Sequence, residues 1–277
     1  MNSTLMNCSV FTDFMYAVFN MIYPQYCAAC GTWDTPLCER CMRDMTAQWR
    51  RADVSTPFLQ QVDPQGGADV SLFPIWCPLS YRGSPARAIV AWKNTQSSGL
   101  SHAMRAVWLL SLRSLIRRSS VHDIFPALDM RRYVAVVPIP SRWRRKHEGK
   151  MIVLDLAQEV AEVLDLPCQE VLKKRGTKLR DGRAAALPWA NLKAGFVTLA
   201  GVKRPYSVET FGGRARKRNS IKATRSLHGW DVILVDDVVT TGATFDAAFR
   251  AVRNAGGRVI GGFALAAAVD PRISPVA

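Results

Sequence analysis

The sequence is short of acid. Its 277 residues hold 22 Asp and Glu against 37 Lys and Arg, a formal charge of +15 at pH 7 with histidine neutral. An excess of this size implies an anionic partner, whether nucleic acid, a polyphosphate substrate or both, and says nothing about fold. The chain also lacks any uncharged apolar run of about 18 residues or more, so no membrane-spanning helix is expected. The stretch 1–26 has no Lys/Arg start and carries Asp13 in its middle, which does not suit a secretory leader. A cytoplasmic location is therefore expected. The nucleotide-binding pattern G-x-x-x-x-G-K-[ST] is missing, and no internal repeat occurs. Apolar residues are not scarce. At 48% of the chain they suffice for a core, and the length suits one domain of moderate size plus a small module.

Seven cysteines in a cytoplasmic chain point to metal binding or core packing rather than disulfides. Four of them form two knuckles, Cys27-Ala28-Ala29-Cys30 and Cys38-Glu39-Arg40-Cys41, separated by seven residues. Two such pairs so close together fit a tetrahedral four-cysteine zinc site, each pair gripping one side of the ion. Gly31 permits the turn after the first knuckle, and zinc would supply folding energy that so short a segment lacks. A redox CxxC is the competing reading, and the presence of two pairs at ribbon spacing favours zinc. Four thiolates close the coordination sphere, which leaves the site structural.

The stretch around which the rest is arranged is Val232-Ile233-Leu234-Val235-Asp236-Asp237-Val238-Val239-Thr240-Thr241-Gly242-Ala243-Thr244. Val232 to Val235 is a short β-branched run, suited to a strand buried on both faces. Adjacent carboxylates follow, then a small hydroxyl-rich turn. Phe245, Ala248, Phe249 and Val252 mark the apolar face of a helix that Gly256-Gly257 stops. A glycine turn at a helix N-terminus is an anion site, because the first-turn N–H groups are unpaired and the dipole favours negative charge. Two carboxylates upstream do not suit a phosphate. They suit sugar hydroxyls or a divalent metal. The combination asks for a phosphorylated sugar, with the phosphate on Thr240, Thr241, Gly242, Ala243 and Thr244 and the diol on Asp236 and Asp237. The bland alternative is an ordinary strand–turn–helix with a polar turn. The stretch resembles the signature of type I phosphoribosyltransferases, which bind phosphoribosyl pyrophosphate (PRPP).

Elsewhere the apolar spacing predicts a helix over 9–23 (Val10, Phe14, Val18, Ile22) ended by Pro24, and Pro57, Pro64, Gly66 and Gly67 mark 51–70 as a linker. An extended segment is expected over 72–81. Ser84-Pro85 then reads as the cap and first residue of a helix burying Ile89 and Trp92, with Lys93 near its end. A helix over 101–117 buries Met104, Trp108, Leu112 and Leu115, leaving Arg105 and Arg113 as solvated charges. Tyr133 to Val137 is a further strand, and Val153, Leu156, Val160 and Leu164 mark a helix. A short strand is expected near Val171-Leu172, and a last strand over 258–267. Arg142, Arg144 and Arg145 follow the Tyr133–Val137 strand. They suit either a solvated basic turn or a pyrophosphate loop, since ligands bind outside the carboxyl ends of such strands. Residues 197–226 form a basic segment that suits either a solvated insertion or an arm tracking a phosphate backbone.

As a whole the chain resembles the ComF family of competence-associated, phosphoribosyltransferase-like proteins. The resemblance rests on Pro24 and the four cysteines, Tyr81-Arg82-Gly83 with Lys93 beyond, Val137-Pro138-Ile139-Pro140, the 232–244 motif, and Thr177, Asn191 and Phe196. It implies an α/β fold, a parallel or mixed sheet flanked by helices. The implied organisation is an N-terminal helix and zinc-ribbon-like module over 1–50, the 51–70 linker, and a phosphoribosyltransferase-like domain over 71–277 with a basic insertion at 197–226. It further implies PRPP or ribose-5-phosphate binding with Mg2+, and phosphoribosyl transfer with Asp236 and Asp237 as catalytic residues. The alternative it implies is a non-catalytic DNA-uptake accessory that binds single-stranded DNA and a helicase partner. Where the family has Arg-Gly-Phe-Asn-Gln, this chain reads Glu148-Gly149-Lys150-Met151-Ile152, and Arg180 and Pro188 also depart. These changes fall on the pyrophosphate and acceptor side. Ligand binding is therefore implied more firmly than turnover.

Overall fold

The structure is a computed structural model that describes residues 25–45, 49–62, 69–129, 131–140, 151–174 and 221–268. The helices described are α1 (Glu39–Met45), α2 (Gly83–Asn94), α3 (Ser98–Arg118), α4 (Val121–Ile124), α5 (Ile152–Leu164) and α6 (Ala243–Asn254). The strands are β1 (Arg50–Arg51), β2 (Gln60–Val62), β3 (Asp69–Ser71), β4 (Ile75–Cys77), β5 (Leu79–Ser80), β6 (Tyr133–Pro138), β7 (Leu172–Lys174), β8 (Ile221–Ala223), β9 (Trp230–Val239) and β10 (Arg258–Ala267). The helix expected over 9–23 lies outside the described residues.

The central sheet runs β1–β4–β10–β9–β6, with β5 also on β10. β9 pairs in parallel with β10 on one side and β6 on the other, and β4 and β5 are parallel to β10. β1, at the edge, is antiparallel. The mixed sheet flanked by helices is the α/β fold the sequence implies. The burial of β9 explains the choice of residues. Val232 and Leu234 pack into one apolar cluster with Phe245, Ala248 and Val252 of α6. Ile233 and Val235 pack into the other, with Ile89 of α2, Met104 and Trp108 of α3, and Leu156 and Val160 of α5. All four strand residues have no exposed surface, and full burial of such side chains stabilises by about 1.5–3 kcal/mol each. Gly261 and Gly262 of β10 leave room for two rings against the sheet. A Cβ on either would run into Phe125 or Phe245.

A strand covered on both faces tolerates charge only where partners meet it. Asp231, with no exposed surface, lies near the start of β9. Arg132 Nε and Arg258 Nη2 each reach its carboxylate at 2.6 Å. The two guanidiniums satisfy a carboxylate that would otherwise be costly to bury.

Several expectations need correction. The strand does not end at Val235. It continues to Val239, so the acid pair lies within β9 rather than beyond it. α2 begins at Gly83 with Arg82 as its N-cap, and Ser84 is already inside the helix. Arg105 is not merely solvated: its Nε donates to the buried Glu159 of α5 at 2.6 Å. Within 51–70, expected to be a linker, Ala52, Asp53, Thr56 and Leu59 are buried. Asp53 explains this, because its carboxylate accepts from Arg51 Nε and Nη2 at 2.7 Å and from the Ile75 backbone N–H at 2.9 Å. Proline and glycine marked the turns there but concealed the buried polar anchor. The end of the basic 197–226 segment is also ordered into β8, which pairs antiparallel with β7. Residues 197–220 lie outside the description.

Candidate ribose-phosphate site and zinc module

The carboxyl end of β9 leads through Thr240, Thr241 and Gly242 into α6. Gly242 is the N-cap, with φ +81° and ψ 0°. Only glycine adopts that left-handed conformation without strain. A Cβ there would also stand 2.9 Å from Thr56 Cβ and 3.1 Å from Leu59 Cγ. The same segment fixes the turn from outside, since the Phe58 N–H donates to the Thr241 carbonyl at 3.2 Å. The N-cap has no side chain, so it makes no capping hydrogen bond to the first N–H groups of α6. Thr240 is exposed, and Thr241, Ala243 and Thr244 are half-buried. The turn is thus a helix N-terminus open on one side and buttressed on the other, a geometry suited to an anion.

Asp236 and Asp237 precede this turn and are both buried. The Asp237 backbone N–H donates to Asp236 Oδ1 at 2.8 Å. Lys93, in the last turn of α2, places its Nζ 2.9 Å from Asp237 Oδ1, and both side chains are only 11% exposed. The Asp236 carboxyl is pushed up to about 7, first by burial and then by the charge of Asp237. The Asp237 N–H and the ammonium groups of Lys93 and Lys174 pull the other way without prevailing. This arrangement does not suit a divalent ion held by the chain. Such an ion needs available carboxylate oxygens, whereas one carboxylate is engaged by an ammonium and the other is buried and driven toward its neutral form.

Of the residues singled out in the sequence, the structure brings Asp236, Asp237 and the 240–244 turn together at one end of the sheet. Arg142, Arg144 and Arg145 lie outside the described residues, as do Thr177, Arg180, Pro188, Asn191 and Phe196. Sequence reasoning missed Lys174 near the acids and the buttress of Thr56, Phe58 and Leu59. Lys93 entered only as a helix-end residue and as part of a family likeness. Its place on α2, far from the motif in the chain, gives no spacing signal. A cavity of about 560 Å3 lies elsewhere, walled by Lys222, Thr224, Arg225 and Ser226 and by the C-terminal end of α6.

The four knuckle cysteines converge as expected. The Sγ atoms of Cys27, Cys30, Cys38 and Cys41 all lie within 4.8 Å of one another. Cys30 and Cys38 are 3.7 Å apart, close to the edge of about 3.8 Å of a tetrahedron with Zn–S bonds of about 2.3 Å. The Gly31 N–H donates to the Cys27 carbonyl at 2.8 Å, and the Cys38 N–H donates to Cys27 Sγ at 3.4 Å. Hydrogen bonds from Thr32, its hydroxyl first, hold the Cys30 thiol down at about 6, which favours the thiolate a metal needs. The donor set fits zinc, which Cys27, Cys30, Cys38 and Cys41 would hold as a structural ion. The module does not stand apart. Ala29, Leu37, Cys41 and Met45 belong to the same core as α2 and α3, and Arg87 Nε of α2 donates to the Ala29 carbonyl at 2.7 Å. Of the other cysteines, Cys77 is a core residue whose thiol burial pushes up to about 12.

Residues 154–275 match the family model described as the phosphoribosyl transferase domain. The fold is phosphoribosyltransferase-like. Among solved structures, this chain is similar to an adenine phosphoribosyltransferase from Leishmania donovani at 11% identity. The match covers 83% of this chain and 81% of that one, with a TM-score of 0.30. No curated protein matches the chain. Among the described residues, no helix is long and apolar enough to cross a membrane.

Two outcomes follow from the geometry. The purified chain is expected to carry one zinc per molecule by elemental analysis, and chelation should lower its thermal midpoint. A metal-free chain with an unchanged midpoint would contradict the structural role. The Asp236 carboxyl, raised in the folded state from its ordinary 3.8 to about 7, holds its proton more tightly there than in the unfolded chain. Its stabilising contribution is therefore full below the ordinary value and lost as pH rises through about 7. In urea titrations, wild type should lose stability relative to Asp236→Asn between pH about 4 and about 7. Parallel pH profiles would show that the carboxyl is not so perturbed.

Proposed function

We propose that this chain binds ribose 5-phosphate in the form of PRPP at the β9–α6 junction and acts as a phosphoribosyltransferase. The observation that carries the reading is a helix N-terminus without a side-chain cap and a buried acid pair at the same end of one strand. The first-turn N–H groups of α6, with the hydroxyls of Thr240, Thr241 and Thr244, hold the 5′-phosphate. Asp236 and Asp237 accept hydrogen bonds from the ribose hydroxyls. The match of 154–275 to the phosphoribosyl transferase domain supports the substrate class.

Phosphoribosyl transfer breaks the bond from C1 of the ribose to pyrophosphate through a transition state with oxocarbenium character, and an acceptor then bonds to C1. The protein's task is to hold the phosphate, orient the sugar, neutralise the leaving group and exclude water. Asp236 and Asp237 steady the sugar, as catalytic residues of the transfer. Arg142, Arg144 and Arg145 are the chain's candidates for covering the pyrophosphate, and Mg2+ would arrive on the pyrophosphate rather than on the acid pair. The ComF likeness extends this reading to a cytoplasmic protein of competence.

A second reading, a DNA-uptake accessory that binds single-stranded DNA beside a helicase partner, draws support from a different surface. Arg225 lies 4.6 Å over the Trp230 ring, which packs at 4.5 Å against Tyr133. Tyr133 is 45% exposed. An exposed tyrosine beside a half-buried tryptophan with a stacked guanidinium suits unpaired bases.

Calorimetry separates the two. PRPP with Mg2+ should bind the wild type, and Asp236→Asn with Asp237→Asn, or Gly242→Ala alone, should weaken binding by about tenfold or more. Absence of heat with the folded wild type would rule the first reading out. For the second, a fluorescent single-stranded oligonucleotide should bind with an affinity that falls steeply with salt. Binding undiminished in Tyr133→Ala with Arg225→Ala would remove this surface from consideration.

A further inference from the structure

An acid pair beside a phosphate site poses an electrostatic problem. The Asp237 carboxylate, joined by Asp236 whenever it ionises, repels the anionic ligand that the neighbouring turn attracts, and in water-poor surroundings that repulsion is strong. A divalent ion is one remedy. This chain has a cation of its own in place: Lys93 Nζ is 2.9 Å from Asp237 Oδ1, with both side chains 11% exposed. Lys174 of β7 also acts on Asp236 from electrostatic range.

Lys93 is well prepared for this position. It sits in the last turn of α2, where the helix dipole favours a positive charge. The helix needs no ion pair to stay in place, because Ala88, Ile89 and Trp92 already bury its inner face in the core. At the opposite end of β9, the structural carboxylate Asp231 is held by two half-exposed arginines. At the ligand end, the partner of Asp237 is instead the ammonium of Lys93, with both side chains 11% exposed.

We propose that Lys93 is a positioning residue of the sugar-phosphate site, a built-in cation that holds the Asp237 carboxylate and lets the acid pair accept an anionic ribose phosphate without a divalent metal. The proposal rests on the ribose-phosphate reading above. It assigns a division of labour. Any magnesium requirement would belong to the pyrophosphate of PRPP, while the ribose 5-phosphate half of the ligand binds through protein charge alone.

The test uses ribose 5-phosphate, which carries the phosphate and the diol but no pyrophosphate. Calorimetric titrations of the zinc-loaded full chain are run in buffer freed of magnesium on a chelating resin, and again with Mg2+ added. Wild type should bind in both, with affinities within about threefold. Lys93→Met should lose about tenfold or more in magnesium-free buffer and regain part of it with Mg2+, while Lys93→Arg stays near wild type. Should Lys93→Met not fold, as judged by circular dichroism, Lys93→Gln takes its place. Wild-type binding only with Mg2+, or unchanged magnesium-free affinity in a folded Lys93→Met or Lys93→Gln, overturns the role of Lys93 and leaves the ribose-phosphate site standing. No binding by wild type in either buffer removes the site itself, and the proposal with it.

Discussion

β9 is enclosed on both faces, so any charge on it must be met by a partner brought from elsewhere. This constraint organises the molecule. The apolar middle of the strand is shared between two cores, and its carboxylates are confined to the two ends. At the start, Asp231 is satisfied by two arginines and serves as a staple. Near the finish, Asp236 and Asp237 meet a lysine and sit beside an open helix N-terminus. The same physical rule yields a carboxylate held by two arginines at one end and an acid pair beside a helix N-terminus at the other. The difference lies in what each end faces.

The segments outside the sheet support that pair from two directions. The 53–59 segment, anchored by the buried Asp53, presses Thr56 and Leu59 against Gly242 and bonds the turn through Phe58. The four-cysteine module packs against the helices carrying the other partner. Ala29 accepts from Arg87 of α2, and Pro36 lies within 3.1 Å of where a Cβ on Gly99 of α3 would stand. A contiguous line of contacts therefore runs from the cysteine knuckles through α2 to Lys93 and the acid pair. The module packs against the helix that carries Lys93.

Much of this was legible in the sequence, for identifiable reasons. The continuous β-branched run at 232–235 marked a doubly covered strand, and the hydroxyl-rich glycine turn marked the helix start. The paired CxxC knuckles marked the cysteine cluster. In each case neighbouring residues carry the information. The unreadable parts depend on distant residues meeting. Lys93 has no local signature, because its importance comes from the crossing of α2 over the end of β9. Asp53 sits among prolines and glycines that signal turns, and its burial is created by Arg51 and the Ile75 N–H. Arg105 lies on a polar helix face, and only the packing of α5 brings Glu159 to it. The extent of β9 was underestimated because two carboxylates look like the end of a buried strand. Lysine and backbone partners let them remain within it.

A ribose-phosphate ligand, if the proposed function holds, binds at the β9–α6 turn. The most direct test is a titration of isotope-labelled protein with ribose 5-phosphate, followed by backbone amide NMR. The account predicts saturable shifts concentrated at residues 240–244 and at Asp236 and Asp237, with little change at 222–226 around the separate cavity. Saturable shifts at 222–226 that leave the turn untouched would contradict it.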